Sequence, residues 1–142
     1  MSMENKVIGY TTGVYDLFHI GHLNVLRNAK KHCDYLIVGV STDEVVIKNK
    51  NKTPVIPFED RIAIVRAIKY VDEAVPQEDY SIEYKIKRIK ELHANILFVG
   101  SDWQGTEKWN NIEKELAKIG VKVIYLPHTD GISSTELTAK IK

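Results

Sequence analysis

The feature that most limits the possible folds of this chain is a set of short, continuous apolar runs that alternate with helical patterns. Tyr35–Val40 and Ile96–Val99 are two such runs, and a strand that is apolar on both faces is typical of a parallel sheet covered by helices. The pattern predicts five strands, at Val7–Thr11, Tyr35–Val40, Glu73–Val75, Ile96–Val99 and Val121–Leu126. Their alternation with helices predicts a three-layer α/β fold with a five-stranded parallel sheet, and it leaves the strand order open.

Helical patterns fill most of the intervals between these strands. Helices are predicted from about Leu23, at Phe58–Tyr70, Tyr80–His93 and Glu107–Ile119, and after Ser133. The fourth stops at Gly120, a residue type suited to a left-handed cap. The last is indicated by Ser133 and Glu136, which have the spacing of a capping box. By contrast, Lys48–Lys52 is polar without any periodicity and is predicted to be a loop.

Length and charge limit the class of protein. The 142 residues fit a single domain, 1–142, that can bury a core without disulfides. There are 20 Lys and Arg against 19 Asp and Glu, so the formal net charge is +1, which predicts no charge-driven binding to nucleic acid or to a membrane. The single Cys33 excludes an internal disulfide and fits a reducing compartment. Since no apolar run is long enough to span a bilayer, we expect a cytoplasmic protein.

The segment Gly13–His22 lies where the first strand passes into the first helix. In an open α/β sheet, ligands bind in that crevice. His19 and His22 are three residues apart, so they project from one face if both lie in the first helical turn. The unpaired N–H groups and the positive dipole end of a helix start favour an anion there. The segment therefore predicts a phosphate site, although its two glycines could serve only a tight turn and close helix packing.

Two further segments carry groups suited to phosphate. Gly131–Thr135 brings hydroxyl and N–H groups to the start of the last predicted helix, where they form either a second anion site or a plain capping box. The stretch Lys48–Lys52 is basic, although lysine-rich loops are usually only solvated. After the fourth strand, Trp103 follows Asp102 and could anchor the core.

These motifs together resemble the nucleotidyltransferase superfamily that carries an HxGH signature. The resemblance lies in His19-Ile-Gly-His22 after Gly13-x-Tyr-Asp16, and in Gly131-Ile-Ser-Ser-Thr135 near the end. Gly100-Ser-Asp-Trp103 and Tyr70-Val-Asp-Glu73 narrow it to the cytidylyltransferase branch, and within that branch to the small bacterial glycerol-3-phosphate cytidylyltransferases. The motifs stand in the same order and at similar spacing across nearly the whole chain.

The resemblance implies a Rossmann-like fold, a homodimer, and small-molecule substrates. In the implied reaction, CTP and a phosphomonoester, most closely glycerol 3-phosphate, give a CDP-alcohol and pyrophosphate. Such a transfer depends on positioning and on charge stabilisation, and it needs no protein nucleophile. Magnesium is implied as the companion of the triphosphate, with no metal ligand assigned to the protein.

The resemblance also implies roles for single residues. His19, His22 and Lys52 are the implied catalytic residues, and the protonation state of the histidines matters because an imidazolium would add charge. Lys50 and Arg61 are implied to bind the substrate phosphate, although a loop one residue longer than in the glycerol-3-phosphate enzymes blurs the register of these lysines. The implied nucleotide contacts are Val14, Tyr15, Lys69, Asp102, Trp103, His128, Gly131, Ile132, Ser133, Ser134 and Thr135.

Three departures from the family pattern leave the substrates open. Lys69 and His128 stand where the family usually has arginine, whose planar fork binds phosphate better than a point charge or a partly charged imidazole. Glu83 stands where the glycerol-3-phosphate enzymes carry a lysine, and Lys85 offers a substitute. The alternatives are therefore transfer to choline phosphate or ethanolamine phosphate, adenylyl transfer to a flavin or sugar phosphate, and a nucleotide sensor that does not react.

Overall fold

The computed structural model describes residues 6–127, which contain a five-stranded parallel sheet. Its strands are β1 (Ile8–Gly13), β2 (Tyr35–Ser41), β3 (Glu73–Gln77), β4 (Ile96–Gly100) and β5 (Lys122–Leu126). They lie in the order β3-β2-β1-β4-β5 and every neighbouring pair is parallel. The predicted parallel sheet is confirmed, and the structure supplies the strand order that the apolar pattern left open.

Helices cover both faces of this sheet. They are α1 (Ile20–Lys30), α2 (Asp43–Lys50), α3 (Phe58–Ala67), α4 (Ile82–Leu92) and α5 (Glu107–Ala117), with a short 3-10 helix at Ser101–Trp103. Leu26 of α1 and Val65 of α3 belong to one buried cluster, which lies on one face of the sheet. Ile89 of α4 and Leu116 of α5 belong to a second cluster on the opposite face. The two clusters confirm the three-layer, Rossmann-like arrangement.

Helix α2 corrects the prediction that Lys48–Lys52 is a loop. Its sequence lacks an amphipathic period, but its ends are well suited to a helix. The Thr42 hydroxyl accepts a hydrogen bond from the Val45 amide (3.3 Å), and acidic residues occupy the first turn while lysines occupy the last. Asn51 then ends the helix in a left-handed conformation (φ 52°), so Lys50 is helical and Lys52 lies beyond the cap.

Other element boundaries differ by a few residues from the prediction. Helix α3 ends at Ala67 rather than Tyr70, because Ile68 already has an extended backbone. Strand β3 continues through Pro76 to Gln77, and proline is tolerated there because β3 is an edge strand. The helix predicted after Ser133 lies outside the described residues. Within residues 6–127, every helix is too short or too polar to cross a bilayer.

Candidate functional site

A cavity of about 430 Å³ opens at the carboxyl ends of β1 and β4. The winding of the chain reverses between these two neighbours, because β1 leads to β2 and β3 on one side while β4 leads to β5 on the other. Ligands of open α/β sheets bind at such a position. Residues on its wall that bear on function are Val14, Tyr15, His22, Lys50, Lys85, Trp103 and Trp109.

The segment between β1 and α1 forms one wall in an unusual backbone conformation. Tyr15 (φ 56°) and Leu17 (φ 49°) are both left-handed, which is uncommon for residues other than glycine. The Tyr15 ring is buried and lies against Gly13, where an added Cβ would come within 2.8 Å of a ring carbon. Gly13 is therefore required by the close approach of this ring. Val14 and Tyr15, for which the resemblance implies nucleotide contacts, both line the cavity.

His19 and His22 start helix α1 through a reciprocal pair of hydrogen bonds. His19 is the N-cap, and its Nδ1 accepts from the Gly21 amide (3.0 Å). His22 is the third helical residue, and its Nδ1 accepts from the His19 amide (3.1 Å). The two imidazole rings lie 3.9 Å apart between centroids with an interplanar angle of 30°. The three-residue spacing thus places both rings side by side, as predicted.

These hydrogen bonds assign the protonation state of the two rings. A ring nitrogen that accepts a hydrogen bond carries no proton, so each neutral imidazole holds its proton on Nε2. Burial lowers the pKa of His22 to about 4, with a further lowering from His19 that Asp16 partly opposes. Burial also lowers the pKa of His19. At neutral pH both residues are therefore uncharged Nε2–H donors.

Two lysines bring positive charge to the cavity, and each lies near an aromatic ring. The Lys50 Nζ atom lies 6.0 Å from the centroid of the Tyr80 ring, and the Lys85 Nζ atom lies 6.0 Å from that of Trp109. Burial lowers the pKa of both ammonium groups, and a neighbouring lysine, Lys52 for Lys50 and Lys108 for Lys85, lowers it further. Each pair of neighbouring lysines favours a bound anion, because the negative charge of a phosphate would offset the repulsion between the two ammonium groups.

Lys85 is the residue that sequence reasoning weighed least. The sequence offers it only as a substitute for a lysine at position 83, yet it lines the cavity while Glu83 is exposed on α4. Trp109 on α5 is both buried and part of the cavity wall. The helical spacing in the sequence places both residues on the inner face of their helices. That spacing alone does not distinguish a core position from a cavity wall.

Arg61 lies in a different place from that predicted for a substrate ligand. Its side chain is buried, and it donates to the carbonyls of Ile56 (2.8 Å), Val14 (2.7 Å) and Ser41 (2.7 Å). It also forms an ion pair with Asp43 (2.6 Å). The inward face of α3 points this guanidinium beneath the backbone that borders the cavity. Arg61 therefore organises that backbone, and the structure argues against its direct contact with a phosphate.

Lys69 also departs from its predicted place in the triphosphate site. It is exposed and lies between α3 and the start of β3, hence at the amino edge of the sheet, whereas the cavity lies at the carboxyl edge. Its ammonium is 5.2 Å from the centroid of the adjacent Tyr70 ring. Within one chain, the turn that returns α3 to the sheet keeps Lys69 away from the cavity.

The remaining predicted residues fall in three groups. Trp103 lines the cavity from the 3-10 helix, where Asp102 precedes it and is exposed. Lys52 is exposed and follows Asn51, the residue that caps α2. It is close enough to Lys50 to lower the pKa of that ammonium group. Outside the described residues lie His128, Gly131, Ile132, Ser133, Ser134 and Thr135.

Carboxylates are missing from the described part of the cavity wall. In residues 6–127, no group of three or more His, Cys, Asp or Glu side chains is placed to hold a metal ion.

Comparison with known proteins gives a consistent set of similarities. A sequence model of the cytidylyltransferase-like family matches residues 10–140. The glycerol-3-phosphate cytidylyltransferase of Bacillus subtilis is 37% identical over 136 residues, covering 96% of this chain and 96% of that protein. An FAD synthase of Pyrococcus abyssi is 39% identical over 130 residues, covering 90% and 85%. The crystal structure of a lipopolysaccharide core biosynthesis protein from Thermoplasma volcanium matches with a TM-score of 0.70 at 26% identity, covering 88% of this chain and 98% of that one.

Proposed function

Because this chain belongs to the cytidylyltransferase-like family, we propose that it transfers a cytidylyl group from MgCTP to the phosphate of a small phosphomonoester, most closely glycerol 3-phosphate. An oxygen of the monoester attacks the α-phosphorus of CTP and forms a new P–O bond. The bond between the α-phosphorus and the bridging oxygen breaks, and magnesium pyrophosphate leaves with that electron pair. The products are CDP-glycerol and pyrophosphate, and the protein forms no covalent intermediate.

The observation that supports this proposal best is the pair of neutral histidines at the rim of a cavity that also holds two lysines. His22 lines the cavity, and the ring of His19 stacks beside it. Two Nε2–H donors held by the start of a helix can hydrogen-bond the oxygens of the α-phosphate as charge develops there. Because their Nδ1 atoms are already engaged, the rings need no reorganisation during the reaction.

The lysines reduce the electrostatic repulsion between the two anionic substrates. A phosphomonoester and a triphosphate are both anions, and they must approach within bonding distance. Lys50 at the end of α2 and Lys85 on α4 both line the cavity and supply positive charge to it. We assign Lys52, next to Lys50, to the phosphates that develop charge as pyrophosphate leaves. Magnesium enters with the nucleotide as part of the substrate.

The charge of the cavity wall favours glycerol 3-phosphate over the amino-alcohol phosphates. Choline phosphate and ethanolamine phosphate carry a cationic head group, which the two lysines of the described wall would repel. A polyol phosphate carries no positive charge, and its phosphate matches Lys85. The cation expected at position 83 is therefore supplied two residues later, where it faces the cavity.

A second candidate is adenylyl transfer to a flavin phosphate. It is favoured by the similarity to the FAD synthase of Pyrococcus abyssi, which is as high in identity as that to the glycerol-3-phosphate enzyme. The aromatic residues Trp103 and Trp109 would also suit a flat ring system. The nucleotide therefore has to be tested together with the acceptor.

The experiment is a pyrophosphate-release assay with magnesium that crosses nucleotides with acceptors. CTP, ATP, UTP and GTP are each paired with glycerol 3-phosphate, phosphocholine, phosphoethanolamine and FMN. We expect release only with CTP and glycerol 3-phosphate. Release with ATP and FMN would replace this proposal by the second candidate, and tight CTP binding without release under any condition would indicate a sensor.

The histidine variants can be chosen so that they keep the helix start. Asparagine is a good N-cap residue and glutamine completes a capping box, so His19→Asn and His22→Gln preserve the capping while removing the Nε2–H donors. We expect each to lower kcat at least about a hundredfold, as loss of a transition-state donor does. His93→Asn is the matched control, because it removes an imidazole from a left-handed helix cap at the other edge of the sheet. An equal loss in all three variants would show that the assay reports folding.

A further inference from the structure

The carboxylate of Asp16 joins the histidine segment to the lysine-bearing connection between α2 and α3. Its Oδ2 accepts a hydrogen bond from the Val55 amide (2.8 Å), and its Oδ1 accepts one from the Ile56 amide (2.9 Å). These partners are 39 and 40 residues away along the chain. Both oxygens of one side chain are thus used to hold two consecutive amides of another segment.

The backbone around Asp16 is arranged to present this carboxylate. Its two neighbours, Tyr15 and Leu17, both have left-handed backbones, an arrangement that persists only where the surroundings enforce it. The buried Tyr15 ring and the hydrogen bond from Arg61 to the Val14 carbonyl provide that enforcement. Left-handed backbone conformations are strained at residues other than glycine. Such strain clusters at functional sites, where it fixes the position of side chains.

The two hydrogen bonds from the Val55 and Ile56 amides to Asp16, here called the tether, limit where Lys52 can lie. The Asn51 amide is bonded to the Ile47 carbonyl (3.0 Å) at the end of α2, and Val55 is bonded to Asp16. Only residues 52–54 separate these two fixed points, and Pro54 among them is buried. The backbone of Lys52 is therefore held at both ends, close to Lys50.

A second connection acts in parallel with the first. The Arg61 guanidinium donates to the Ile56 carbonyl and to the Val14 carbonyl, so it also joins the lysine-bearing connection to the histidine segment. Asp43 fixes the position of this guanidinium through their ion pair. The histidine segment and the connection that carries Lys52 therefore belong to one hydrogen-bonded frame.

We propose that Asp16 is a positioning residue, which sets Lys52 against the histidine pair during phosphate transfer. This inference rests on the proposed function. Asp16 acts through the backbone of residues 52–56 and takes no part in the chemical step. Its removal should lower kcat, because Lys52 would no longer be held where charge develops, while the affinity for ground-state CTP should change little.

The test combines kinetics with a measurement that does not depend on turnover. In Asp16→Asn, one of the two accepting oxygens becomes an NH₂ group that faces an amide N–H. We expect kcat with MgCTP and glycerol 3-phosphate to fall by about tenfold to a hundredfold, with KM for CTP within about threefold. Hydrogen exchange at the Val55 and Ile56 amides should become at least tenfold faster, while β1 and β2 keep their protection. The matched control is Asp34→Asn, whose carboxylate accepts from the Val7 amide (2.8 Å) at the opposite edge of the sheet.

A double-mutant cycle separates positioning from a general loss of structure. If Asp16 acts through Lys52, Asp16→Asn should cost less than about threefold once Lys52→Ala is present. The same loss in both backgrounds, or unchanged activity with faster exchange, would overturn the proposal. If the wild-type chain released no pyrophosphate with any pair of substrates, the proposed function would fail and the positioning role with it. Faster exchange at Val55 and Ile56 would then show that the tether itself exists.

Discussion

Replacement of Arg61 by methionine should destabilise the protein far more than it affects ligand binding. The guanidinium donates to three backbone carbonyls and to Asp43, and its side chain is 0% exposed in the ion pair while that of Asp43 is 33% exposed. Breaking a buried charged pair costs about 3–5 kcal/mol. Against a total stability of about 5–15 kcal/mol, Arg61→Met should lower the free energy of unfolding by about 3–5 kcal/mol and Tm by roughly 10–20 °C.

The assay is urea-induced unfolding followed by far-UV circular dichroism, with thermal unfolding as a second measure. Arg66→Met is the matched control, since Arg66 is exposed on the same helix and its guanidinium donates a long hydrogen bond to the Ala74 carbonyl (3.3 Å). We expect that control to change stability by less than about 0.5 kcal/mol. Arg61→Lys should give an intermediate loss, because one ammonium cannot span the four acceptors.

The reasoning would be refuted by a variant that is as stable as the wild type but binds the phosphomonoester poorly. That result would mean that Arg61 is a phosphate ligand, as the sequence pattern implied, and that its observed hydrogen bonds contribute little. If Arg61→Met does not fold at all, the lysine variant still decides between the two roles, because a ligand role predicts normal stability for it.

Three further predictions concern the cavity wall. The pKa of His22 is about 4 when folded and near 6.5 when unfolded, so stability should rise with pH from about 4 to 6.5, and His22→Gln should flatten that rise in urea midpoints measured across the range. Gly13→Ala should destabilise by about 1–3 kcal/mol in the same assay, because its Cβ would lie 2.8 Å from a buried ring, whereas Gly100→Ala meets no atom within 4 Å and should be tolerated. Lys85→Met should raise KM for glycerol 3-phosphate at least about tenfold in the pyrophosphate assay, while Lys87→Met, at an exposed position of the same helix, should leave it unchanged.

The fold could be predicted well from the sequence because the strands are apolar on both faces. The continuous apolar run Tyr35–Val40 is typical of a strand covered by helices on both faces, and its alternation with helical patterns indicates the parallel α/β arrangement. Helix α2 could not be predicted in this way, because it is short and its stability comes from the Thr42 cap, the distribution of charge and the burial of Val45 and Val46. Strand order depends on long-range pairing, which leaves no local pattern.

The candidate site could be predicted only where local geometry determines it. The spacing of His19 and His22 is enough to place both rings at the start of α1, whereas their protonated nitrogens depend on backbone contacts that only the structure shows. For Arg61 and Lys69, sequence motifs identify a basic residue but cannot tell which way it points. One lies buried beneath the site and the other at the far edge of the sheet.

The adjacency of β1 and β4 also determines when the site can form during folding. Thr11 on β1 donates a hydrogen bond to the Phe98 carbonyl on β4, 87 residues away along the chain, whereas the other strand pairs join segments much closer in sequence. Long-range pairings form late, since the entropy of closing the intervening chain must be overcome first. A nascent chain that ends before β4 would already contain both histidines and Lys50, yet it would have no opposite wall and hence no cavity.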